Sequence, residues 1–314
     1  MIRRFLYDLT LESAYALPTI PLHAERVTNL EPDITIRRGG QSDFLEARRL
    51  LESHGSSSTT PWLQHRRLPD GWDYVRWPAL FECLIAPDGR ELRGAPLCRL
   101  SPETLQSYLL TQLVSFALLR QGVETLHATV VVVEDRAIAL LGDCGTGKST
   151  LAAAFLRAGA RLLTDDLLVL RQEHDALFAC PGVPRLKLMP AIAKRLLPAH
   201  AAGCAMHPLT GKRIIPLAPT QCADTPAPLR ALYVLRPSQR RRIVSIRPVS
   251  TRAAWHELSR ATFNLVLRDP ERLRRQFAWA SKLATQLPVK SISYPRTFGA
   301  LSSVVDAITA DLSR

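Results

Sequence analysis

The sequence predicts an α/β fold in which a mixed sheet surrounds a strand–loop–helix core, with a small β-rich module before the core and helices after it. Three observations lead to this prediction. A glycine-rich loop, GDCGTGKST at Gly142–Thr150, follows the apolar run AIALL and precedes STLAAAFLRA, which has helical spacing. Short alternating and aromatic runs, typical of strands, occur within the first hundred positions. The chain ends in three helical stretches, predicted at 251–267, 270–286 and 300–312.

The glycine-rich loop has the pattern G-x-x-x-x-G-K-[ST]. Glycines let the backbone fold around phosphate groups, so that its N–H groups and the N-terminus of the next helix face the anion. Lys148 is expected to reach the outer phosphates of a nucleotide such as ATP, and Ser149 is expected to ligate Mg²⁺. The predicted nucleotide-binding residues are those of the whole loop: Gly142, Asp143, Cys144, Gly145, Thr146, Gly147, Lys148, Ser149 and Thr150.

Composition and charge limit the function classes. The 314 residues include 46% apolar residues but no run of eighteen, and Met1–Thr10 lacks the features of a signal peptide. We therefore expect a soluble cytoplasmic protein without a membrane partner. The six cysteines lie far apart and form no C-x-x-C pair, so neither a zinc site nor a disulfide framework is indicated. The net charge of +13 favours anionic partners. A solvated arginine-rich surface is favoured over nucleic-acid binding, because no nucleic-acid-binding signature accompanies the charge.

The chain divides into two predicted domains. Residues 1–100 are predicted to form the β-rich module, and residues 101–314 the domain that binds the nucleotide. Ser101 begins a helix, because Ser-Pro-Glu supplies an N-cap, a proline at the first helical position and an early acidic residue. Apolar positions recur at helical spacing until Gly122. This helix is predicted to join the two domains and to pack on the sheet of the second.

A β-hairpin is predicted directly before the glycine-rich loop. The strand LHATVVVV at 126–133 turns at Glu134-Asp135 and returns through Arg136–Leu141. Paired positions should then sum to 269 or 270, which places His127 opposite Gly142 or Asp143. A lone histidine in a strand is usually structural. Its predicted position at the mouth of the loop favours a functional role instead.

Two adjacent acids, Asp165 and Asp166, end the strand that follows the core helix. They lie 17 and 18 residues beyond Lys148. In a right-handed βαβ unit this strand runs parallel to the strand that enters the loop, so its carboxyl end lies beside the phosphates. Paired carboxylates beside the phosphates can have different roles, with one ligating a metal ion and the other accepting a proton.

Four basic residues further along are candidates to bind phosphate: Arg185, Lys187, Lys212 and Arg213. Arg185 and Lys187 alternate with leucines in a predicted strand, so both are expected on one face. Lys212 and Arg213 follow a Thr-Gly turn. Each of the four is equally compatible with a solvated surface position. Beyond them, the runs at 231–235 and 243–246 are predicted to pair as a hairpin, and a further strand is expected at 291–294.

The segment from His127 to Asp166 resembles the catalytic segment of HPr kinase/phosphorylase. The resemblance is carried by the strand histidine, the GDxGxGKS loop, the sequence Arg-Ala-Gly-Ala-Arg-Leu at 157–162 and the acidic pair. It implies a P-loop core of the type shared by HPr kinase and phosphoenolpyruvate carboxykinase. The layout is most similar to that of HPr-kinase-related serine kinases found beside lasso-peptide precursor genes, with which the chain shares PGxPRLKL, GKR and PLRALYVL segments.

The resemblance also implies roles for single residues. Asp165 corresponds to the general base, His127 to its orienting or proton-sharing partner, and Lys148 to the contact of the β- and γ-phosphates. Asp166 and Ser149 correspond to Mg²⁺ ligands. HPr kinases carry a Glu-Ile-Arg-Gly-type signature downstream, where this chain has Pro-Gly-Val-Pro-Arg at 181–185. The resemblance therefore does not extend to a second metal carboxylate or to phosphorolysis. It does not extend to HPr as substrate either, because the N-terminal module differs.

These observations together predict an ATP- and Mg²⁺-dependent kinase that phosphorylates a serine hydroxyl on a peptide or small protein. The β-rich module is then a candidate for recognising the peptide. The resemblance favours a lasso-peptide precursor as the acceptor. Two alternatives stay open: a small-molecule kinase or carboxykinase-like enzyme with the same core, and a non-enzymatic nucleotide-binding regulator. The sequence also leaves open a homo-oligomer.

Overall fold

The structure, a computed structural model, describes residues 1–18, 31–56, 62–200, 203–207, 210–240, 242–264 and 266–313. The chain forms two compact units, which comprise Met1–Glu124 with Asn264–Leu273, and Thr125–Phe263 with Arg274–Arg314. The stretch HGSSSTTP at 54–61, whose serine and threonine content predicts an exposed loop, lies largely outside the described residues. None of the described helices has the length and apolar character needed to cross a membrane.

The first unit is built on a seven-stranded mixed sheet with the order β1-β2-β3-β7-β6-β5-β4. Helix α1 (Leu45–His54), which follows a 3₁₀ turn at Gln41–Phe44, contributes Ala47 and Leu51 to the core on this sheet. The β-rich character expected for this module is therefore present. The strands are β1 (Ile2–Leu6), β2 (Leu9–Ser13), β3 (Ile34–Arg38), β4 (Gln64–Arg67), β5 (Asp73–Trp77), β6 (Phe81–Ile85) and β7 (Glu91–Pro96).

The helical segment predicted from Ser101 belongs to this first unit. It runs through α2 (Pro102–Ser107), a π-helical turn (Tyr108–Leu113) and α3 (Val114–Arg120). Ser101 caps it through a hydrogen bond from the Thr104 amide. The ring of Tyr108 lies 5.1 Å from that of Trp77 in β5. The unit therefore extends to Glu124, whereas the sequence placed the domain boundary at residue 100.

The second unit contains an eight-stranded mixed sheet. Its main path has the order β11-β9-β10-β18-β14-β13, and β20 pairs with β18 and with β19. A two-stranded sheet (β12-β8) and a three-stranded sheet (β15-β17-β16) complete it. The first seven of its strands are β8 (Leu126–His127), β9 (Thr129–Val133), β10 (Arg136–Leu141), β11 (Arg161–Thr164), β12 (Leu167–Leu168), β13 (Leu170–Glu173) and β14 (Ala176–Ala179). The others are β15 (Arg185–Leu188), β16 (Cys204–His207), β17 (Thr210–Pro216), β18 (Ala227–Ser238), β19 (Ser245–Pro248) and β20 (Val289–Pro295).

Two apolar cores cover the two faces of the large sheet. One includes residues of α4 (Lys148–Arg157), α5 (Pro190–Leu196) and α8 (Ala300–Leu312). The other includes residues of α6 (Thr251–Ala261) and α7 (Pro270–Gln286). Short 3₁₀ turns occur at Pro198–His200 and Pro219–Gln221. A mixed α/β fold with helices at its C-terminal end is therefore confirmed.

Three local predictions can be compared with this topology. The hairpin before the glycine-rich loop has Arg136 opposite Val133, so its paired positions sum to 269 as predicted. The predicted pairing of 231–235 with 243–246 is wrong, because β20 lies between β18 and β19. The helix predicted at 251–267 ends at Ala261. Thr262 there adopts an extended conformation and bridges to Leu126.

Candidate functional site

The glycine-rich loop connects β10 to α4. Gly147 precedes the helix with φ of +101°, a left-handed conformation that side-chain-bearing residues rarely adopt. The Lys148 side chain is buried, and its Nζ donates to the Gly142 carbonyl at 2.7 Å and to the Asp143 carbonyl at 3.4 Å. Burial lowers the pKa of Lys148 below the usual lysine value, against the opposing effects of Asp166 and Asp165. The ammonium group of the loop is thus held by two of the loop's own carbonyl groups.

Ser149, the first residue after that lysine, contacts the acidic pair. Its hydroxyl donates to Asp165 Oδ1 at 3.1 Å and Oδ2 at 3.2 Å. Thr129 in β9 donates to Asp165 Oδ1 at 2.6 Å, and the Lys187 amide donates to Oδ2 at 3.0 Å. Residues from β9, α4 and β15 therefore converge on one buried carboxylate, as the βαβ argument predicted for the acidic pair.

Asp166 has a different environment from Asp165. Its carboxylate pairs with Lys187 Nζ at 2.5 Å, and its backbone is left-handed with φ of +76°. An aspartate tolerates this conformation better than most residues, although it remains uncommon and is often found at functional sites. The turn directs two successive carboxylates to different partners, one to Ser149 and one to Lys187.

The two carboxyl groups differ in pKa. Burial, together with the neighbouring charge of Asp166, raises the pKa of Asp165. Burial also acts to raise the pKa of Asp166, but the attraction of Lys187 and of His127 outweighs it and holds that pKa below the usual range. Two adjacent acids with pKa values moved in opposite directions are typical of sites that divide proton transfer and charge binding between them.

His127 lies in β8, before the hairpin formed by β9 and β10. It pairs with Leu167 of β12, so the predicted pairing with Gly142 or Asp143 is wrong. Its Nδ1 is 3.1 Å from the Asp166 carbonyl oxygen, and its ring meets the ring of Phe263 edge-on at 5.4 Å. Burial lowers the pKa of His127 to about 4 against the opposing effect of Asp166. The imidazole is therefore neutral near pH 7, with Nδ1–H as the donor and Nε2 as an acceptor. The ring contacts Asp166, whereas the sequence placed it within reach of Asp165.

The four candidate cations are distributed unequally. Lys187 contacts both carboxylates, as described above. Lys212 in β17 is close enough to influence the pKa of both Lys148 and Asp166. Arg213 donates to the Gly203 carbonyl at 2.9 Å, and Arg185 is buried at the start of β15. The contacts of Lys187 and the charge effects of Lys212 connect these two lysines to the site.

The donor set fits a magnesium ion. The Ser149 hydroxyl and the Asp165 and Asp166 carboxylates are hard oxygen ligands of the kind Mg²⁺ prefers, and this ion commonly takes only one or two carboxylates and keeps several waters. Among the described residues, no group of three or more His, Cys, Asp and Glu side chains is gathered as a metal cage. A metal held jointly by the protein and a phosphate-bearing substrate agrees with both observations.

Two cavities adjoin different halves of the glycine-rich loop. The Tyr294 cavity, about 270 Å³, is lined by the second half of the loop and by apolar and aromatic side chains. The His127 cavity, about 150 Å³, is lined by the first half of the loop together with two arginines. The Tyr294 cavity includes Gly145, Thr146, Gly147, Thr150, Ile192, Tyr294, Arg296 and Phe298. The His127 cavity is lined by His127, Leu141, Gly142, Asp143, Cys144, Arg236, Glu257, Arg260 and Ala261.

Several of these residues were not predicted from the sequence. Arg236 lies near the end of the twelve-residue strand β18, and Tyr294 lies near the end of β20. Both strands run parallel in the sheet that contains β10. The run PLRALYVLR, which ends at Arg236, could have indicated that residue. The carboxyl ends of parallel strands meet at one edge of a sheet, and ligands bind there.

No protein-family model matches the chain, and no curated protein matches it. Among solved structures, the chain is similar to the HPr(Ser) kinase/phosphatase from Coxiella burnetii. The sequence identity is 12%, the match covers 60% of this chain and 95% of that chain, and the TM-score is 0.32. The likeness is distant and supports no conclusion about activity.

Proposed function

We propose that the chain is an ATP- and Mg²⁺-dependent kinase that phosphorylates a serine hydroxyl on a peptide or small protein. The observation that carries the proposal is the contact of Ser149, in the glycine-rich loop, with the buried carboxylate of Asp165 at 3.1 Å. A phosphate-binding loop joined to a carboxylate is what phosphoryl transfer requires, since that reaction depends on positioning and on stabilising charge.

Each residue then has a proposed part. The loop amides and Lys148 bind the phosphates of ATP, and the ammonium exchanges its loop carbonyls for phosphate oxygens. Ser149 and Asp166 hold Mg²⁺, which supplies charge neutralisation at the transferring group. Asp165 accepts the proton of the acceptor hydroxyl, because its raised pKa brings it nearer to that of an effective base. Lys187 keeps Asp166 ionised, and Lys212 adds positive charge beside the loop.

One contact favours the opposite division of labour between the acids. Ser149 donates to Asp165 and not to Asp166, so a metal bound by Ser149 lies nearer to Asp165. Asp166 would then accept the proton beside the neutral ring of His127. Magnesium titrations of the two asparagine variants distinguish these assignments.

The Tyr294 cavity is the proposed site of the nucleoside. It adjoins Gly145–Gly147 and contains the rings of Tyr294 and Phe298, which suit a planar base. Arg296 reaches the loop from the same side and donates to the Gly145 carbonyl at 3.1 Å. Phosphate and base would then bind on one continuous surface of the second unit.

The acceptor is proposed to enter through the His127 cavity. A lasso-peptide precursor is the finer proposal, supported by the PGxPRLKL, GKR and PLRALYVL segments. The first unit has an open cleft of about 530 Å³ among Arg37, Trp72, Arg90 and Glu91, and we propose this module for peptide recognition. The small volume of the His127 cavity favours a second candidate, a kinase for a small-molecule alcohol.

Mass spectrometry of products tests the proposal. The protein is incubated with MgATP and either a serine-peptide library or a metabolite panel, and Lys148→Ala serves as the inactive control. A mass gain of one phosphate on a peptide, absent with Lys148→Ala, is the expected result. Phosphorylation of metabolites alone would select the small-molecule kinase. If neither panel gains phosphate, the kinase proposal is wrong.

A further inference from the structure

Two arginines of the His127 cavity have no part in the phosphoryl transfer described above. Arg260, in the last turn of α6, donates to Asp143 Oδ1 at 3.1 Å and Oδ2 at 3.0 Å. Arg236, near the end of β18, donates to Glu257 Oε1 at 2.5 Å. Both guanidinium groups border the same cavity as His127. A guanidinium group matches a carboxylate in shape and can bind it through two parallel hydrogen bonds.

Both guanidinium groups are accessible, and the Arg260–Asp143 pair is easily exchanged. The side chains of Arg260 and Asp143 are 54% and 74% exposed, and that of Arg236 is 47% exposed. Exposed ion pairs contribute little to stability because water and salt screen them. An incoming carboxylate can therefore replace Asp143 as the partner of Arg260 at small cost. Glu257 is only 19% exposed, so Arg236 would keep this partner and bind the incoming carboxylate through its remaining N–H groups. The protein carboxylates hold the two guanidinium groups in place at the edge of the cavity.

The charge of the second unit also favours an anionic acceptor. This unit contains 25 Lys and Arg against 11 Asp and Glu, whereas the first unit contains 16 against 17. The net charge of the whole chain therefore resides in the unit that contains the site. Nucleotide phosphates and the Asp165–Asp166 pair repel an acidic acceptor, so its approach requires local positive charge. Arg236 and Arg260 provide that charge at the cavity.

We propose that Arg236 and Arg260 bind a carboxylate adjacent to the acceptor hydroxyl, so that the substrate is an acidic peptide whose serine has a neighbouring carboxylate. This inference rests on the kinase function proposed above. The cavity volume of about 150 Å³ suits a short hydroxyl-bearing side chain, and the exposed guanidinium groups lie where the flanking residues would pass. His127 lines the same space beside the acidic pair.

Matched peptides test this specificity. Two peptides with a single serine and an amidated C-terminus differ only in having Asp or Asn on both sides of that serine. We expect kcat/KM to be at least roughly ten-fold higher for the Asp peptide, as for a charged hydrogen bond, and the ratio to fall as salt is raised. A third peptide, with Asn before the serine and a free carboxylate directly after it, distinguishes a terminal carboxylate from a side-chain carboxylate.

Variants of the arginines identify the contact. Arg236→Ala and Arg260→Ala should each raise KM for the Asp peptide and leave the kinetics with the Asn peptide nearly unchanged. Arg260→Lys should restore part of the preference. Arg252→Ala is the matched control, because Arg252 is exposed on the same helix as Arg260 and does not line the cavity. It should retain the preference in full.

The outcomes separate the two proposals. Equal kcat/KM for all three peptides would overturn the carboxylate inference while the kinase proposal stands. If none of the three peptides is phosphorylated, the peptide library and the metabolite panel decide the kinase proposal, and the carboxylate inference is judged by fluorescence anisotropy of the labelled peptides with the unmodified protein. Tighter binding of the Asp peptide, lost in Arg236→Ala and Arg260→Ala but kept in Arg252→Ala, supports the carboxylate contact. Equal binding of the Asp and Asn peptides overturns it.

Discussion

Replacing each acid of the pair by asparagine should have different effects, because the two carboxylates have different partners. Asp165 accepts hydrogen bonds from Thr129, Ser149 and the Lys187 amide, all of which are donors. In Asp165→Asn the amide group places two hydrogens where donors already point. We expect a loss of about 1–3 kcal/mol in the free energy of unfolding from the unmatched donors. Removal of a general base lowers kcat by roughly 10²- to 10⁴-fold, which is about 3–5 kcal/mol in the activation barrier.

Asp166→Asn removes the negative charge that pairs with Lys187. The Lys187 side chain is only 11% exposed, so its ammonium loses its charged partner in a region that water scarcely reaches. Removing one member of a buried pair costs roughly 3–5 kcal/mol, and we expect Asp166→Asn to be the less stable variant. If Asp166 ligates Mg²⁺, the concentration of Mg²⁺ that gives half-maximal rate should also rise by about ten-fold or more, in line with other changes at metal sites.

The assay measures kcat at saturating ATP across a Mg²⁺ titration, with urea unfolding of each variant as the control for folding. The expected result is a normal Mg²⁺ midpoint with a low plateau for Asp165→Asn, and a shifted midpoint for Asp166→Asn. A shifted midpoint in Asp165→Asn alone would reverse the two roles, as the Ser149 contact allows. Identical titration curves for the two variants would refute any division of labour between them.

Four further outcomes are expected. Lys148→Ala should abolish transfer and weaken ATP binding by calorimetry, because its ammonium is the proposed phosphate contact, and unchanged affinity would remove it from the site. His127→Ala should lower turnover but leave ATP affinity unchanged. Because the pKa of His127 is about 4 in the folded protein, the unfolded chain binds this proton at a higher pH than the folded chain does. The free energy of unfolding therefore falls as the pH drops from about 6.5 towards 4. Urea unfolding at pH 5 and pH 7 should show a weaker pH dependence for His127→Ala than for the unmodified protein, and an unchanged one for the exposed control His256→Ala. Phe298→Ala should raise KM for ATP roughly ten-fold without changing the Mg²⁺ midpoint, since it removes one aromatic wall of the proposed nucleoside site. Asp73→Asn should destabilise the first unit by roughly 3–5 kcal/mol in urea unfolding, since the buried carboxylate of Asp73 pairs with an arginine. Hydrogen bonds from His65 and Arg120 lower the pKa of Asp73 despite its burial. The stabilisation is therefore present above about pH 4 and is lost below it.

Local patterns predicted the part of the site that is close in sequence. The glycine-rich loop, the register of the hairpin before it and the position of the acidic pair all follow from turn chemistry and strand pairing within about forty residues. Helices α7 and α8 have the predicted bounds. A proline and an acidic first turn mark the start of α7, and regular apolar spacing marks α8. The roles given to Asp165, Asp166 and His127 remain predictions.

Contacts between distant segments could not be predicted in the same way. Arg260 reaches Asp143 across 117 positions of sequence, and Arg296 reaches Gly145 across 151. No turn or periodicity encodes such a contact, since it depends on which strands become neighbours. The late hairpin was predicted wrongly for the same reason: β20, which is distant in sequence, pairs on both sides and separates β18 from β19.

The strand order explains how the site is assembled. Strands β11, β10, β18 and β20 run in one direction, because β9 is antiparallel to both β10 and β11, and β18 is parallel to β10 and β20. Their carboxyl ends therefore meet at one edge of the sheet. That edge receives the acidic pair from β11, the glycine-rich loop from β10, Arg236 from β18 and Tyr294 from β20. In-line transfer requires the acceptor oxygen and the leaving oxygen on opposite sides of the transferring phosphorus. With the His127 cavity at one half of the loop and the Tyr294 cavity at the other, acceptor and nucleoside would approach the same phosphate from different sides.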